Sequence, residues 1–329
     1  MMRTRIKRIL VAIKDPDHAP RAQLKKAAVL ARASGAVLEI FHAVAQAEID
    51  DEVRGLDLLQ TTAELIDALN AHALRRLQRL ARSSLFEGLR VEVTPSWDFP
   101  PHEAIIRRAI STSADLIVAA AQPQQFAGRV VFANTDWELI RHSPLPVLVV
   151  KSARDYSKPA VIAAIDPFHA RAKPTRLDSR IFATAAAMSR LLKGATHSFH
   201  AYMPLVSMAP GPTGMPLMLP PELEDVHGEQ VEKSFRRACE RAHIPPARRH
   251  LNMGLVGDEL GSVVKRLNAG IVVMGAVSRS GLRRVFIGNT AERLLDDLTC
   301  DVLVVKPANF KSNVSRRRAH RQPAYFAPV

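Results

Sequence analysis

The chain has 329 residues, of which 47% are hydrophobic and 24% are charged. This length exceeds what a single hydrophobic core usually serves, and the composition is that of folded globular proteins, which excludes a fibrous or wholly disordered chain. The longest apolar runs, such as 116–121, are far shorter than the roughly 20 residues of a membrane-spanning helix. Two cysteines, Cys239 and Cys300, are too few for a disulfide framework. We therefore expect a cytoplasmic protein of about two domains.

The formal net charge of +14 is distributed unevenly along the chain. Residues 1–152 contribute +3, residues 153–309 contribute +6 and residues 310–329 contribute +5. The last segment contains three consecutive arginines at 316–318 and has no apolar periodicity, so we predict a basic, disordered tail over 310–329. A solubilising role is favoured for this tail. The alternative is contact with nucleic acid or another anionic surface.

The sequence repeats itself in order. The segment 8–16, an apolar run followed by Asp-Pro, recurs at 160–167. Further along, Val-Leu-Val-Val-Lys at 147–151 recurs at 302–306. An ordered repeat of this length predicts two copies of one domain.

Within each predicted copy, residues 1–152 and 157–309, short apolar runs alternate with longer segments of helical periodicity. This alternation is typical of a parallel sheet whose strands are connected by right-handed helical crossovers. The predicted strands of the first copy are 8–13, 36–44, 90–96, 115–121 and 146–151. The clearest apolar stripes of helical spacing run over 58–80, 181–192 and 231–242. We predict an α/β fold of two tandem, doubly wound domains, each with five parallel strands and four helices.

The second copy contains a segment that fits neither a helix nor a strand. Between Tyr202 and Pro221 there are seven prolines or glycines and four methionines. Proline at this density removes backbone donors and fixes φ, so we predict a long loop. The favoured interpretation is a loop that folds over its own domain through the methionines, and the alternative is a flexible lid on an apolar ligand.

A glycine-containing segment follows the predicted fourth strand of the second copy and leads into a helix. A loop at the carboxyl end of a parallel strand that ends at a helix N-terminus is a common place to bind phosphate. The candidate binding residues of this copy are Asp166, Gly275, Ser278, Gly281, Gly288, Asn289 and Thr290. Two alternatives remain open: Asn289 and Thr290 with Glu292 form a helix cap, and Asp166 belongs to a turn-forming Asp-Pro pair.

The segment 270–307, the Asp-ended first strand and the alternation of strands and helices resemble the universal stress protein family, and two copies in one chain resemble its tandem, UspE-like members. The resemblance spans residues 6–307. It implies that the two domains pair through their final strands, 147–150 against 302–305, and form an intramolecular pseudo-dimer. Such pairing would cover two apolar sheet edges.

In ATP-binding members of this family the loop reads Gly, two residues, Gly, nine residues, Gly, then Ser or Thr. Gly275 and Gly288 match this pattern, whereas Ser278 replaces the middle glycine and Asn289 replaces the hydroxyl residue. The first copy has no glycine at the equivalent positions, which are Ala120, Pro123, Ala133 and Asn134. We therefore expect no ATP binding in the first copy. Asp15 and Asp166 both match the position that contacts the nucleotide base or sugar in the family.

These observations favour a non-enzymatic stress-response protein that acts through ligand-dependent or partner-dependent binding. The sequence has no Gly-x-Ser-x-Gly, Walker or His-Glu-x-x-His motif. His42 and His200 lie at strand ends without metal-type spacing, so we interpret them as hydrogen-bonded histidines and predict no metal site. One alternative is an ATP-binding switch with weak ATPase activity in the second domain only. Besides ATP, another nucleotide-like ligand or an apolar ligand is a candidate for that domain. The other is a nucleic-acid or anionic-surface binder that acts through the tail.

Overall fold

A computed structural model of the chain describes residues 6–44, 62–121, 134–167, 176–205, 221–276, 297–315 and 325–326. The chain divides into two compact units. Domain 1 comprises residues 2–155 together with 311–329, and domain 2 comprises residues 156–310. Within the described ranges, no helix is both long enough and apolar enough to cross a membrane.

The secondary structure alternates between strands and helices along almost the whole chain. The elements up to residue 150 are β1 (Arg8–Ile13), α1 (Arg21–Ser34), β2 (Val37–Val44), α2 (Thr62–Ala81), β3 (Val91–Trp97), α3 (Pro101–Ser111), β4 (Leu116–Ala120), α4 (Asn134–His142) and β5 (Val147–Val150). The elements after residue 150 are β6 (Ala160–Ala164), α5 (Leu177–Leu191), β7 (Ala195–Tyr202), α6 (Pro221–Arg241), β8 (Arg249–Met253), α7 (Val256–Leu267), β9 (Ile271–Gly275), β10 (Asp301–Val305) and β11 (Tyr325–Phe326). The predicted α/β class is confirmed.

The sheet of domain 1 has the strand order β11-β3-β2-β1-β4-β5. β1 is central, with Ile9 opposite both Leu38 and Leu116 in parallel register. These three side chains are fully buried, as expected for a parallel sheet covered by helices on both faces. The strand order reverses between β1 and β4, and in such sheets the carboxyl ends of the strands at this switch point form the usual ligand crevice.

The sheet of domain 2 has the order β10-β9-β6-β7-β8, and all its pairings are parallel. Here β6 is central, with Val161 opposite Thr196 and Ile271, so the switch point lies between β6 and β9. The predicted helical stripes of this copy lie in α5 and α6, where Ile181 and Phe235 are buried. The fourth helix predicted for this copy lies outside the described residues, as does most of the predicted methionine-rich and proline-rich loop.

The C-terminal segment differs from the predicted disordered tail. Tyr325–Phe326 form β11, which pairs antiparallel with β3 in domain 1. Val314 is buried, and the Ser312 hydroxyl donates a hydrogen bond to the His142 carbonyl at 2.8 Å. Without β11, β3 would be an edge strand with unpaired backbone groups. Aromatic residues are common in strands, but the arginine-rich composition of this segment predicted no strand. Residues 316–324 lie outside the described part of the chain.

Domain 1 contains a buried ion-pair network beside β2. Glu39 is fully buried and accepts hydrogen bonds from Arg8 at 3.2 Å and from Arg108 at 2.5 Å. Arg8 also binds Glu92 at 2.6 Å, and the Thr94 hydroxyl donates to Glu39 at 3.1 Å. Two arginines and two carboxylates thus link β1, β2, β3 and α3.

Domain 2 carries a histidine pair on the corresponding strands. His197 Nδ1 lies 3.1 Å from His250 Nε2, and an Arg266 N–H donates to His250 Nδ1 at 3.4 Å. Because His250 Nδ1 accepts this bond, its Nε2 carries the proton and donates to His197. Burial, and then the charges of His250 and Arg248, lower the pKa of His197 to about 4. Burial, and then Arg266, also lower the pKa of His250.

Candidate functional site

The candidate site of domain 2 lies at the carboxyl ends of β6 and β9, where the strand order reverses. Two of the predicted binding residues, Asp166 and Gly275, are described at this place. The other five lie outside the described residues, and they are Ser278, Gly281, Gly288, Asn289 and Thr290. The structure therefore brings together one predicted carboxylate and the first predicted glycine.

Gly275 ends β9 and lies against the start of α5. A Cβ at this position would lie 2.6 Å from Leu177 Cδ2 and 2.9 Å from its Cγ. Leu177 is the first residue of α5 and is only 3% exposed, so it has little room to move. Close packing of a strand end on a helix start thus accounts for glycine here without any ligand.

Asp166 follows β6 and is half-buried. Its backbone N–H donates to Asp178 Oδ1 at 3.4 Å, and Asp178 lies in the first turn of α5, where the helix dipole stabilises a carboxylate. Two aspartates therefore flank this corner of the sheet. Carboxylates repel phosphate but accept hydrogen bonds from hydroxyl or amino groups, so the corner suits the sugar or base part of a nucleotide better than its phosphates.

A cavity of about 360 Å³ adjoins this corner. Its lining residues are Pro167, Asp178, Ser179, Phe182, Ala183, Ala186, Ala238, Arg241, Ala242 and His243. Four of these are alanines, two in α5 and two at or just after the end of α6, and their small side chains leave room for the cavity. The apolar stripe over 231–242 placed Ala238 and Ala242 on the buried face of a helix. Only the small size of these side chains could have indicated a cavity.

The equivalent corner of domain 1 is occupied by an ion-pair cluster. Asp15 Oδ1 accepts from Arg76 at 2.8 Å, and Asp15 Oδ2 lies 2.7 Å from His18 Nδ1. The Asp17 N–H also donates to Asp15 at 2.9 Å. Burial raises the pKa of Asp15, but the hydrogen bonds from His18 and Asp17 and the charge of Arg76 together lower it below its ordinary value. Both oxygens of the carboxylate are engaged by protein groups.

Gln23 joins the strands at the switch point of domain 1. Its side chain is 1% exposed and its Nε2 donates to the carbonyls of Ala12 at 2.8 Å and Val118 at 3.1 Å. One amide group thus links β1 to β4 near their carboxyl ends. Gln23 could not be identified from sequence, because an isolated glutamine in an amphipathic helix forms no recognisable pattern.

The two strand-end histidines are hydrogen-bonded as predicted. His42 Nδ1 lies 3.0 Å from the Ile13 carbonyl and His200 Nδ1 lies 3.1 Å from the Ile165 carbonyl. Each ring therefore ties the second strand of its domain to the end of the first. Across the ranges that the structure describes, no group of three or more His, Cys, Asp or Glu side chains is arranged for a metal ion.

Comparison with known proteins identifies relatives over nearly the whole chain. The model of the universal stress protein family matches residues 5–151 and 180–306. Universal stress protein E of Escherichia coli K12 is 30% identical over 71% of this chain and 74% of its own length. Universal stress protein E of Photorhabdus laumondii is 24% identical over 92% of this chain and 96% of its own length.

Solved structures share the fold. A protein of unknown function from Pseudomonas aeruginosa PAO1 covers 92% of this chain and 94% of its own, with 24% identity and a TM-score of 0.66. A universal stress protein from Archaeoglobus fulgidus covers 91% of this chain and 98% of its own, with 12% identity and a TM-score of 0.56. At these identities the similarity concerns the fold alone.

Proposed function

The chain belongs to the universal stress protein family, and from this premise we propose that it acts in the stress response by binding a ligand or a protein partner rather than by catalysis. The proposed ligand site lies in domain 2 only. The observation that carries the proposal is the difference between the two switch points. In domain 1, Arg76 engages the carboxylate of Asp15 and Gln23 bridges the strand ends. In domain 2, Asp178 accepts the backbone N–H of Asp166 and lines a cavity.

The proposed ligand is a nucleotide or a nucleotide-like molecule. Asp166 and Asp178 would accept hydrogen bonds from its sugar or base, because carboxylates are acceptors only. Arg241, across the cavity, supplies a positive charge. The remaining contacts would come from Gly275 at the end of β9 and from the segment that follows it, through Ser278, Gly281, Gly288, Asn289 and Thr290.

Titration with a fluorescent ATP analogue, with and without a Gly288→Asp substitution, tests this site. The new carboxylate would stand where the backbone has to approach the phosphates, so we expect at least about tenfold weaker binding. Ala133→Asp is the matched control, because residue 133 takes the place of 288 in the first repeat. It should leave binding unchanged.

Three results would contradict the proposal. Equal saturation of the wild type and Gly288→Asp would remove the site, and equal weakening by Ala133→Asp would place binding in both domains. Phosphate release by the wild-type protein that is lost in Gly288→Asp would show that the chain is an enzyme. If ATP fails to bind, native mass spectrometry of the freshly purified chain distinguishes another retained ligand from an empty site.

A further inference from the structure

The outer edges of the two sheets differ. Phe41 lies opposite Thr94 and Phe199 lies opposite His250, and the two phenylalanines stand in the same Phe-His-Ala motif, so β3 and β8 are equivalent edge strands. In domain 1, β11 covers β3. In domain 2, β8 is the last strand of the sheet within the described residues. The outer edge of the domain 1 sheet is therefore covered by a strand, and the equivalent edge of the domain 2 sheet has no strand beside it within the described residues.

The backbone of β8 presents hydrogen-bonding groups away from β7. The Gly254 N–H donates to the Tyr202 carbonyl of β7 at 2.9 Å. The backbone groups of successive residues in a strand alternate in direction. The N–H and C=O groups of His250 and Asn252 therefore also point to β7, and those of Leu251 point away from it. Outward groups of this kind are a template for an added strand.

Basic side chains lie at the start of β8, and apolar side chains lie at its end. Arg248 is exposed, and Arg249 is half-buried, with its Nε donating to the Ile244 carbonyl at 2.8 Å. At the other end Met253 and Leu255 are each 59% exposed. Val256, the next residue, is 39% exposed, so three apolar side chains are accessible at this end of the edge.

Acidic groups near the edge offset the positive charge only in part. Glu240 lies 4.0 Å from Arg249, and Glu259 accepts a hydrogen bond from Asn252 at 2.6 Å. Arg248 has no ion pair among the described residues, and Arg266 adds a further positive charge beside His250.

The register with domain 1 indicates which partner fits. Arg248 and Arg249 occupy the positions of Glu92 and Val93, the two residues that β11 faces in domain 1. The C-terminal segment of the chain is itself basic, and the whole chain carries a net charge of +14, so a second copy is poorly suited to this edge.

We propose that β8 binds an extended segment of another protein as an antiparallel strand, with acidic residues opposite Arg248–Arg249 and apolar residues opposite Met253–Leu255. The antiparallel direction follows the arrangement of β11 on β3. Backbone hydrogen bonds provide the affinity, and the two ends of the edge provide the specificity. This inference rests on the partner-binding part of the proposed function and is independent of its ligand site.

The 329-residue chain is titrated into a fluorescein-labelled peptide, Leu-Thr-Val-Thr-Glu-Asp-Glu, whose apolar half comes first as the antiparallel direction requires. Fluorescence anisotropy should show saturable binding that is at least about tenfold weaker in Arg248→Glu and in Leu251→Pro. Proline at 251 removes an outward N–H and leaves the bonds to β7 in place. Arg90→Glu is the matched control, since Arg90 is exposed and immediately precedes the covered edge strand β3.

A charge-reversed peptide with three lysines in place of the acidic residues should bind Arg248→Glu better than the wild type. Hydrogen exchange should show slower exchange of the Leu251 amide when the acidic peptide is present. No binding to the wild type, equal weakening by Arg90→Glu, or full binding to a folded Leu251→Pro variant would each overturn the proposal. Gly288→Asp should bind the peptide normally, which separates this result from a failure of the ligand site.

Discussion

Lys306 immediately follows β10 and its side chain is buried. It is 2% exposed, and its Nζ has no hydrogen-bond partner within the part of the chain that the structure describes. The nitrogen lies 4.7 Å from the centre of the Phe310 ring. Burial lowers the pKa of Lys306 from 10.5 to about 7. The folded protein therefore binds a proton here much less tightly than the unfolded chain does.

This difference in pKa makes the free energy of unfolding depend on pH. A separation of 10.5 from about 7 corresponds to a penalty on the order of 5 kcal/mol when the lysine has to be charged in the folded state. The penalty is complete below the folded pKa of about 7 and disappears as the pH rises to 10.5. In this window the stability of the wild type should increase by up to about 1.4 kcal/mol per pH unit from this residue.

Replacing Lys306 by methionine keeps an unbranched side chain and removes the charge. We expect Lys306→Met to be more stable than the wild type by several kcal/mol at pH 7, with an advantage that shrinks steadily towards pH 10. Urea unfolding followed by circular dichroism at pH 7, 8, 9 and 10 measures both quantities. Lys311→Met, at an exposed lysine five residues later, should show no such change with pH.

A stability difference between Lys306→Met and the wild type that stays constant from pH 7 to 10 would refute the lowered pKa of Lys306. A methionine variant less stable than the wild type at pH 7 would also refute it, because the amine would then have a stabilising partner.

Two further perturbations test titratable groups in the two sheets. Glu39→Gln should lower the free energy of unfolding by about 3–5 kcal/mol in urea unfolding, because the positive charges of Arg8 and Arg108 lose a fully buried carboxylate. His197→Gln should reduce the loss of stability on acidification. The pKa values of His197 and His250 are both lowered on folding, so the unfolded chain binds more protons, and the wild type loses stability as the pH falls from 6.5 towards about 4.

Each of these variants has a control elsewhere in its domain. Glu103 pairs with Arg107 but is 32% exposed, so Glu103→Gln should lower the free energy of unfolding by less than about 1 kcal/mol. If Glu39→Gln lowers the free energy of unfolding no more than Glu103→Gln does, burial of the Glu39 carboxylate is unimportant. His243→Asn replaces an exposed histidine at a positive φ of 55°, which asparagine tolerates, and it should leave the acid dependence of the wild type intact. Retention of that dependence in His197→Gln would contradict the assignment to the histidine pair.

The fold could be predicted from sequence because its strands are short apolar runs buried on both faces. The predicted strand 8–13 is found at Arg8–Ile13, and the predicted 146–151 is found one residue shorter at each end. A strand ends where its hydrogen bonds to the neighbouring strands end, so its bounds can differ by a residue from those of the apolar run. β11 was not predicted, because its partner β3 lies more than 200 residues away in the sequence.

The candidate site was less predictable, because its features depend on side chains that meet only in the folded protein. Asp15 was recognised as a strand-end residue, but its ion pair requires Arg76 from a helix 61 residues later. Gly275 was recognised as a candidate phosphate contact, whereas its neighbour Leu177 gives it a packing reason that no local pattern contains. The spacing of residues along the chain indicates where a site can lie. Which protein side chains fill that place depends on contacts between residues that are distant in sequence.

The pairing of β11 with β3 has a consequence for the order of events on the ribosome. Domains fold largely from the N-terminus as they emerge, yet the first sheet obtains its outermost strand from residues 325–326, after the whole of domain 2 has been translated. A nascent chain therefore carries an incomplete first domain for most of its synthesis, and a transcript truncated near its end would release a protein with that sheet left unfinished.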